Sequence, residues 1–268
     1  MTVANTKEIV SPRRQQLARL VAQRGFLRVA DASLELGVSE VTVRGDFTAL
    51  ERLGRVVRVH GGAMPVLTAA ESPIESTLDR DAAAKRAIAR SAASLVTSGE
   101  AVYLDAGSTA LALALALVER HDLHDLTVVT SGLTIALALE PAIPRFTVIV
   151  TGGTLRPLQH SLVNPFAAPM LDALNFDVAF IGCNGIHIAR GVTNVNLPEA
   201  EIKSRALARS TRKVLIADAS KLGRSDVAVI GAVGDFDALV TAGEVDSEVV
   251  EGLREAGLRV ELAARLGA

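Results

Sequence analysis

The chain has 268 residues, 49% of them hydrophobic, which is enough to bury a large core and points to two domains. The net charge of −2 hides an asymmetry: residues 1–60 hold ten Lys/Arg against six Asp/Glu and the remainder 18 against 24, so a basic end suited to phosphate backbone sits on an acidic body. The single cysteine, Cys183, excludes an intrachain disulfide framework and fits the cytoplasm; no secretory signal is expected, the longest apolar run (110–118) is too short to span a bilayer, and one tyrosine without tryptophan argues against a stacking platform for single strands.

Ser11-Pro12 opens a first helix, with Leu17, Leu20 and Val21 on its apolar face and Gly25 as its stop. Residues 26–29 suit a short strand and 30–36 a second helix. Gly37-Val38-Ser39 is a turn ending in a helix N-cap, because the Ser39 hydroxyl can accept from a first-turn N–H. The third helix runs to about Leu53, with Gly54 as a left-handed stop. Val43, Phe47 and Leu50 form its apolar stripe. Val41, Gly45, Thr48 and Arg52 lie on the opposite face, flanked by Thr42 and Arg44. Residues 55–60 (Arg-Val-Val-Arg-Val-His) alternate like a strand, and Gly61-Gly62 makes a tight turn. A helix pair followed by a basic β-ribbon outlines a winged helix-turn-helix. The plainer reading of the same pattern is a small amphipathic cap on a larger domain.

The stretch 37–63, GVSEVTVRGDFTALERLGRVVRVHGGA, resembles the signature of the DeoR family of bacterial transcriptional regulators, V-S-x-x-T-[IV]-R-R-D-L, then L-E-x-x-G and R-x-H-G-G-A. It departs at Gly45, where the family usually has a second arginine, and at Phe47, in place of leucine. Gly45 costs roughly 1 kcal/mol of helix propensity relative to alanine and leaves no side chain at the centre of the outward face.

Residues 65–78 read as a linker, poor in large apolar residues and containing Ser72-Pro73. Beyond it, helices and strands alternate. Helices are expected at 81–98, 109–120, 133–139, 161–174, 198–210 and 247–256. Strands are expected at 101–105, 126–130, 146–151, 178–182, 213–217, 227–230 and 238–241. Nearly all-apolar strands separated by helices indicate a mostly parallel sheet covered on both faces, so the fold class is α/β with an N-terminal winged helix-turn-helix.

Ligands of such sheets bind at the carboxyl ends of strands. Asp105-Ala-Gly107-Ser108-Thr109, Thr130-Ser131-Gly132 and Thr151-Gly152-Gly153-Thr154 collect hydroxyls and glycines there, and Asp218-Ala-Ser-Lys221 can bring a cation. Each alone is an ordinary tight βα turn; together they suit a phosphate. No Walker or dinucleotide fingerprint is present.

This region also resembles the effector domain of the DeoR family, in 85–89, 104–109, 128–131, 151–155, 176–182, 191–193, 199–203 and 218–223. Ser131 stands where the family often has asparagine. The resemblance implies a fold similar to ribose-5-phosphate isomerase and a sensor of phosphorylated sugars. Its rival is a sugar-phosphate isomerase, which needs a positioned carboxylate. The isomerases carry an acidic D-G-A-D-E cluster where this chain has Ile181, Gly182, Cys183, Asn184 and Gly185. The expectation is therefore a cytoplasmic, homo-oligomeric repressor with no cofactor, metal or membrane partner. Ser39, Val41, Thr42, Arg44, Thr48, Arg52, Arg55, Arg58 and His60 would contact duplex DNA. Asp105, Gly107, Ser108, Thr109, Thr130, Ser131, Gly152, Gly153, Asp177, Lys203 and Lys221 would line the effector site. The domains expected are 1–64, a linker over 65–78, and 79–268.

Overall fold

Apolar side chains at helical spacing build the first of two units. The computed structural model describes residues 12–24, 27–52, 56–59, 61–65 and 73–264, and its contacts divide the chain into units 1–70 and 71–268. The first unit contains α1 (Pro12–Arg24), β1 (Leu27–Arg28), α2 (Val29–Leu36), α3 (Glu40–Arg52), β2 (Val56–Val59) and β3 (Gly62–Pro65). Leu17 and Val21 of α1 meet Val43, Phe47 and Leu50 of α3 in its core, with Leu27, Val29, Ala32, Val56 and Ala63. The strands form an antiparallel sheet in the order β1-β3-β2. Gly37 takes the left-handed conformation (φ +64°) that ends α2, its N–H donating to Ser33 O. Gly61 (φ +80°) makes the wing turn, whereas Gly62 already pairs with Val59. The stops expected at Gly25 and Gly54 lie outside the described residues.

The stretch expected as linker contains a helix, α4 (Ile74–Leu78). Ile74 is buried and its N–H donates to Leu158 O at 2.8 Å, so this segment belongs with the second unit. That unit continues with α5 (Ala82–Ala93), β4 (Ala101–Leu104), α6 (Ser108–Glu119), β5 (Leu126–Thr130), α7 (Leu133–Leu139) and β6 (Phe146–Val150). A hairpin follows, β7 (Thr154–Arg156) and β8 (Ser161–Val163), then α8 (Ala167–Asp172) and β9 (Phe176–Ile181). Next come β10 (Gly185–His187), β11 (Gly191–Asn194), α9 (Leu197–Ala208), β12 (Ser210–Ile216), β13 (Ala228–Gly231), β14 (Ala238–Thr241), α10 (Ser247–Glu255) and β15 (Arg259–Leu262).

Seven strands form one sheet in the order β15-β14-β12-β9-β4-β5-β6, every neighbouring pair parallel. Alternate residues of each strand serve opposite faces. Val102, Leu104, Val128 and Phe180 pack under α5, α6 and α7, while Tyr103, Val129, Ala179 and Ile181 pack under α8, α9 and α10. Both faces are covered, which is why the strands are apolar throughout. Among the described residues, no helix is long and apolar enough to cross a membrane.

Three expectations change. Residues 161–174 are a strand followed by a short helix, because Pro165 disfavours helical backbone at Asn164 and the helix starts only beyond it. The strand expected at 227–230 is β13, but it pairs antiparallel with β11 in a separate sheet of order β10-β11-β13. The first long helix ends at Ala93, not Ser98, and the chain turns through Gly99 (φ +85°) into β4.

Candidate functional site

The two units carry one candidate surface each. In the first, Ser39 caps α3: its Oγ accepts from Thr42 N at 3.2 Å and lies 2.8 Å from Thr42 Oγ1. With Val43, Phe47 and Leu50 buried, α3 turns Val41, Arg44, Gly45 and Thr48 away from the core. Arg44 pairs with Glu40 at 2.8 Å, one turn back. Thr48 Oγ1 donates to Arg44 O at 2.9 Å and accepts from Arg58 Nη1 at 3.0 Å. The Arg58 N–H donates to Glu51 Oε1 at 3.2 Å, so β2 is tied to α3 through backbone and side chain alike. Arg52 ends α3, with its side chain outside the described residues; Arg55 and His60 lie outside them altogether.

Asp46 carries no sign in the sequence of being a structural residue. It is only 3% exposed, and it accepts from Arg13 Nε at 2.6 Å and Arg14 Nε at 2.8 Å, clamping α1 to α3. Burial pushes its carboxyl up, but the bonds from the two arginines outweigh that and hold it below the ordinary aspartate value. Asp46→Asn is expected to destabilise the first unit by about 1.5–3 kcal/mol at pH 7, the range for hydrogen bonds to charged groups. A carboxyl held low in the folded state stabilises above its unfolded pKa of about 3.9 and loses that contribution as pH falls through the folded value. Melting curves of variant and wild type should therefore separate at pH 7 and converge in acid. A constant difference down to pH 3 would show that the charge contributes nothing.

In the second unit the sheet itself selects the place. Connections run outward from β4 through β5 to β6, and in the other direction from β9 through β12 to β14, so the topological switch point lies between β4 and β9. Asp105, just past β4, fills it. Its Oδ2 accepts from Gly182 N at 2.9 Å and pairs with Lys203 Nζ of α9 at 2.7 Å; Lys203 also donates to Gly182 O at 3.0 Å. The two side chains are only 2% and 6% exposed. Burial works against the Lys203 ammonium, but Asp105 and Glu199 outweigh it and hold its pKa above the ordinary lysine value. The pair is thus a closed structural joint as well as the floor of the crevice.

Strand register extends the floor. Leu104 pairs with Thr130 and Thr130 with Val150, so Asp105, Ser131 and Thr151 form the next row, on the α9 face. Ser131 is buried, 3.5 Å from Tyr103 OH, and its carbonyl accepts from Leu162 N of the hairpin at 2.8 Å. Thr151 Oγ1 is buried and has no hydrogen-bond partner among the described residues. Thr130 turns the other way, its Oγ1 accepting from Gly132 N at 3.0 Å, so it shapes the turn rather than the crevice. Gly107 (φ +125°) caps α6 without a side chain and with open space around it, leaving Ser108 and Thr109 half-buried at the helix start. Gly152 packs on Phe166, and Gly153 lies against the Val163 carbonyl.

Four polar residues meet beside this site, and of these Glu199 alone falls in a stretch that resembles the family. Glu199 accepts from Ser161 Oγ at 2.5 Å and Asn194 Nδ2 at 3.3 Å, and pairs with Arg156 of β7. It thereby ties the hairpin to α9. The signal available is the capping pattern Asn196-Leu-Pro-Glu199, since Asn196 Oδ1 accepts from Glu199 N at 3.1 Å.

Asp177 is a correction. Near the start of β9, it is exposed and accepts from Ala101 N at 2.8 Å, at the amino edge of the sheet, opposite the crevice. Lys221 follows β12, half-buried in the turn that Asp218 caps through Ser220 N at 2.9 Å. Cys183 follows Gly182. Burial pushes its thiol up to about 12, against the pull of Lys203 and Lys221. Position 181 to position 185 holds no carboxylate: Asn184 spends its Oδ1 on Val195 N at 3.1 Å. A cavity of about 590 Å³ opens over β12 and β14, but its lining includes Asp81, Asp218 and Glu244 and suits an anion poorly.

Comparison with known proteins bears on both surfaces. Residues 13–66 match the model of the DeoR-like helix-turn-helix domain, and residues 80–243 that of the DeoR C terminal sensor domain. The HTH-type transcriptional regulator GolR of Listeria innocua is 34% identical over 94% of this chain and 98% of its own length. The HTH-type transcriptional regulator GlpR of Haloferax volcanii is 32% identical over 92% and 96%. The lactose phosphotransferase system repressor of Staphylococcus aureus is 32% identical over 90% and 95%. A solved ribose 5 phosphate isomerase A from Neisseria gonorrhoeae aligns at 18% identity and TM-score 0.37, over 51% of this chain and 52% of that chain, too loosely to carry an argument.

Proposed function

Since the chain belongs to the DeoR family of transcriptional regulators, we propose that it represses an operon of sugar metabolism and that a phosphorylated sugar in the crevice over β4, β5 and β6 alters its grip on DNA. The observation that carries this is the row Asp105–Ser131–Thr151 beside the open start of α6. It offers a buried hydroxyl with no partner among the described residues, next to first-turn N–H groups that favour an anion. Its relatives are transcriptional regulators and position 181 to position 185 lacks the carboxylate that isomerisation needs, so the chain is a regulator rather than an isomerase.

In this reading Gly107, Ser108, Thr109, Gly152 and Gly153 cradle the phosphate, Lys221 supplies the cation, and Asp105 and Lys203 fix the floor. Ser39, Val41, Thr42, Arg44, Thr48 and Arg52 face the major groove, and Arg55, Arg58 and His60 hold the backbone from the wing. The protein works in the cytoplasm as a homo-oligomer held by the second unit, because one helix-turn-helix reads too few base pairs to be specific alone. The boundary between DNA-binding and sensing parts falls in 65–78.

A thermal-shift screen of the full chain against phosphorylated sugars tests it. A true effector at 100 times its Kd should add about 2.7 kcal/mol of stability and change operator affinity. Lys221→Ala should then need roughly 10–100 times more ligand, as expected for loss of a charge-assisted hydrogen bond, with operator affinity unchanged when no ligand is present. A variant that responds at wild-type concentrations would place the cation elsewhere, and turnover of ribose 5-phosphate would overturn the reading.

A further inference from the structure

Among the described side chains on the outward face of α3, those able to hydrogen-bond a base already have partners. Arg44 pairs with Glu40 at 2.8 Å, and the Thr48 hydroxyl is used twice, toward Arg44 O and Arg58 Nη1. Gly45 has no side chain, and a Cβ built there would meet nothing within 4 Å. One turn before it, in the first turn of α3, Val41 is 76% exposed. Residues at the start of a recognition helix are the ones that reach base edges in the major groove. Of the four bases, only thymine presents a methyl group there, and it is read by apolar contact. A bare Gly45 lets the helix settle close to the groove floor, bringing the Val41 methyls within reach.

We propose that Val41, with the space left by Gly45, reads the C5-methyl of a thymine in each half-site of the operator, making Val41 a specificity-determining residue of this chain. Contact with that methyl covers apolar surface that the free protein leaves in water. It also discriminates by shape at a position where neither Val41 nor Gly45 offers a side-chain donor or acceptor. The inference rests on the regulator reading and adds to it the kind of base edge that the helix selects.

The test starts by selecting duplexes from a randomised library with the full chain. Each thymine of the selected site is then replaced, one at a time, by deoxyuridine, which removes only the methyl. One thymine per half-site should lose roughly fourfold in affinity, the value of one buried methyl group. Val41→Ser should bind thymine and deoxyuridine equally at that position and still prefer the rest of the site. Val41→Ile should keep the difference. Position 41 is on the surface, so these variants fold if the wild type does. Equal loss at every thymine, no loss at any, or a methyl preference that survives Val41→Ser would overturn the proposal while leaving the regulator reading intact. Selection of no duplex at all would overturn both.

Discussion

Lys203→Met is expected to cost the second unit about 3–5 kcal/mol, the usual penalty for breaking a buried ion pair by removing one partner. For a unit of this size that corresponds to a fall of roughly 6–20 °C in melting temperature. Methionine keeps most of the stem volume, so the loss is electrostatic: Asp105 remains buried at the switch point with only Gly182 N to bond, and the Gly182 carbonyl loses its donor. Burial already pushes the Asp105 carboxyl up, and without Lys203 the Gly182 N–H bond is left to oppose it. A carboxyl raised above its unfolded value is destabilising at neutral pH and harmless below that unfolded value. The deficit relative to wild type should therefore shrink as pH falls from 7 toward about 4. Pairing the change with Asp105→Asn should recover most of the loss, because the site then holds no unpaired charge. Denaturation of the full chain at two pH values decides it. If single and double variants lose equally, Lys203 acts through its packing and the joint is not held by charge.

Short-range physics made the outline of both units legible in the sequence. The Ser39 cap with Val43, Phe47 and Leu50 defines α3 within twelve residues, and each strand of the large sheet is an apolar run closed by turn residues. The place of the strand-end turns was legible for a related reason: polar residues and glycines just past an apolar strand lie at its carboxyl end whatever the tertiary detail. Asp177 marks the limit of that rule. It stands in the same kind of strand, but where the chain enters rather than leaves it, and strand direction sends it to the opposite edge.

Pairing across long separations was not legible. Arg13 and Asp46 lie 33 positions apart and Ser161 and Glu199 38 apart, and no local period links them. Lys203 was within reach as a site residue, but its closure onto Asp105 depends on α9 lying over the switch point, which is a property of topology. The hairpin β7–β8 was hidden because residues 161–174 contain enough apolar residues for a helix. Asn164-Pro165 separates the strand from the helix, and the partner strand is three residues long.

That hairpin depends on one glycine. Gly153→Ala is expected to destabilise the second unit by about 3 kcal/mol or more and to abolish the response to effector. Gly153 has φ +136°, a conformation that side chains rarely adopt, and an added Cβ would fall 1.7 Å from the Val163 carbonyl oxygen. The obstacle is backbone, so no rotamer change relieves it. The hairpin must move away, and with it go the Thr154 N–H bond to Asn164 O, the Ser161 and Arg156 contacts to Glu199, and the His160 and Leu162 bonds to the β5–α7 turn. Those are the contacts that hold the hairpin beside the proposed effector site. Gly107→Ala separates strain from collision: φ there is +125°, but nothing lies within 4 Å of an added Cβ. It should cost only the conformational part, about 1–3 kcal/mol. Melting temperatures of the two variants, with effector titrations for any that remain folded at 25 °C, give the comparison. If Gly153→Ala melts no lower than Gly107→Ala and still binds effector, the hairpin accommodates the methyl freely, and its close approach to Val163 does not hold the site.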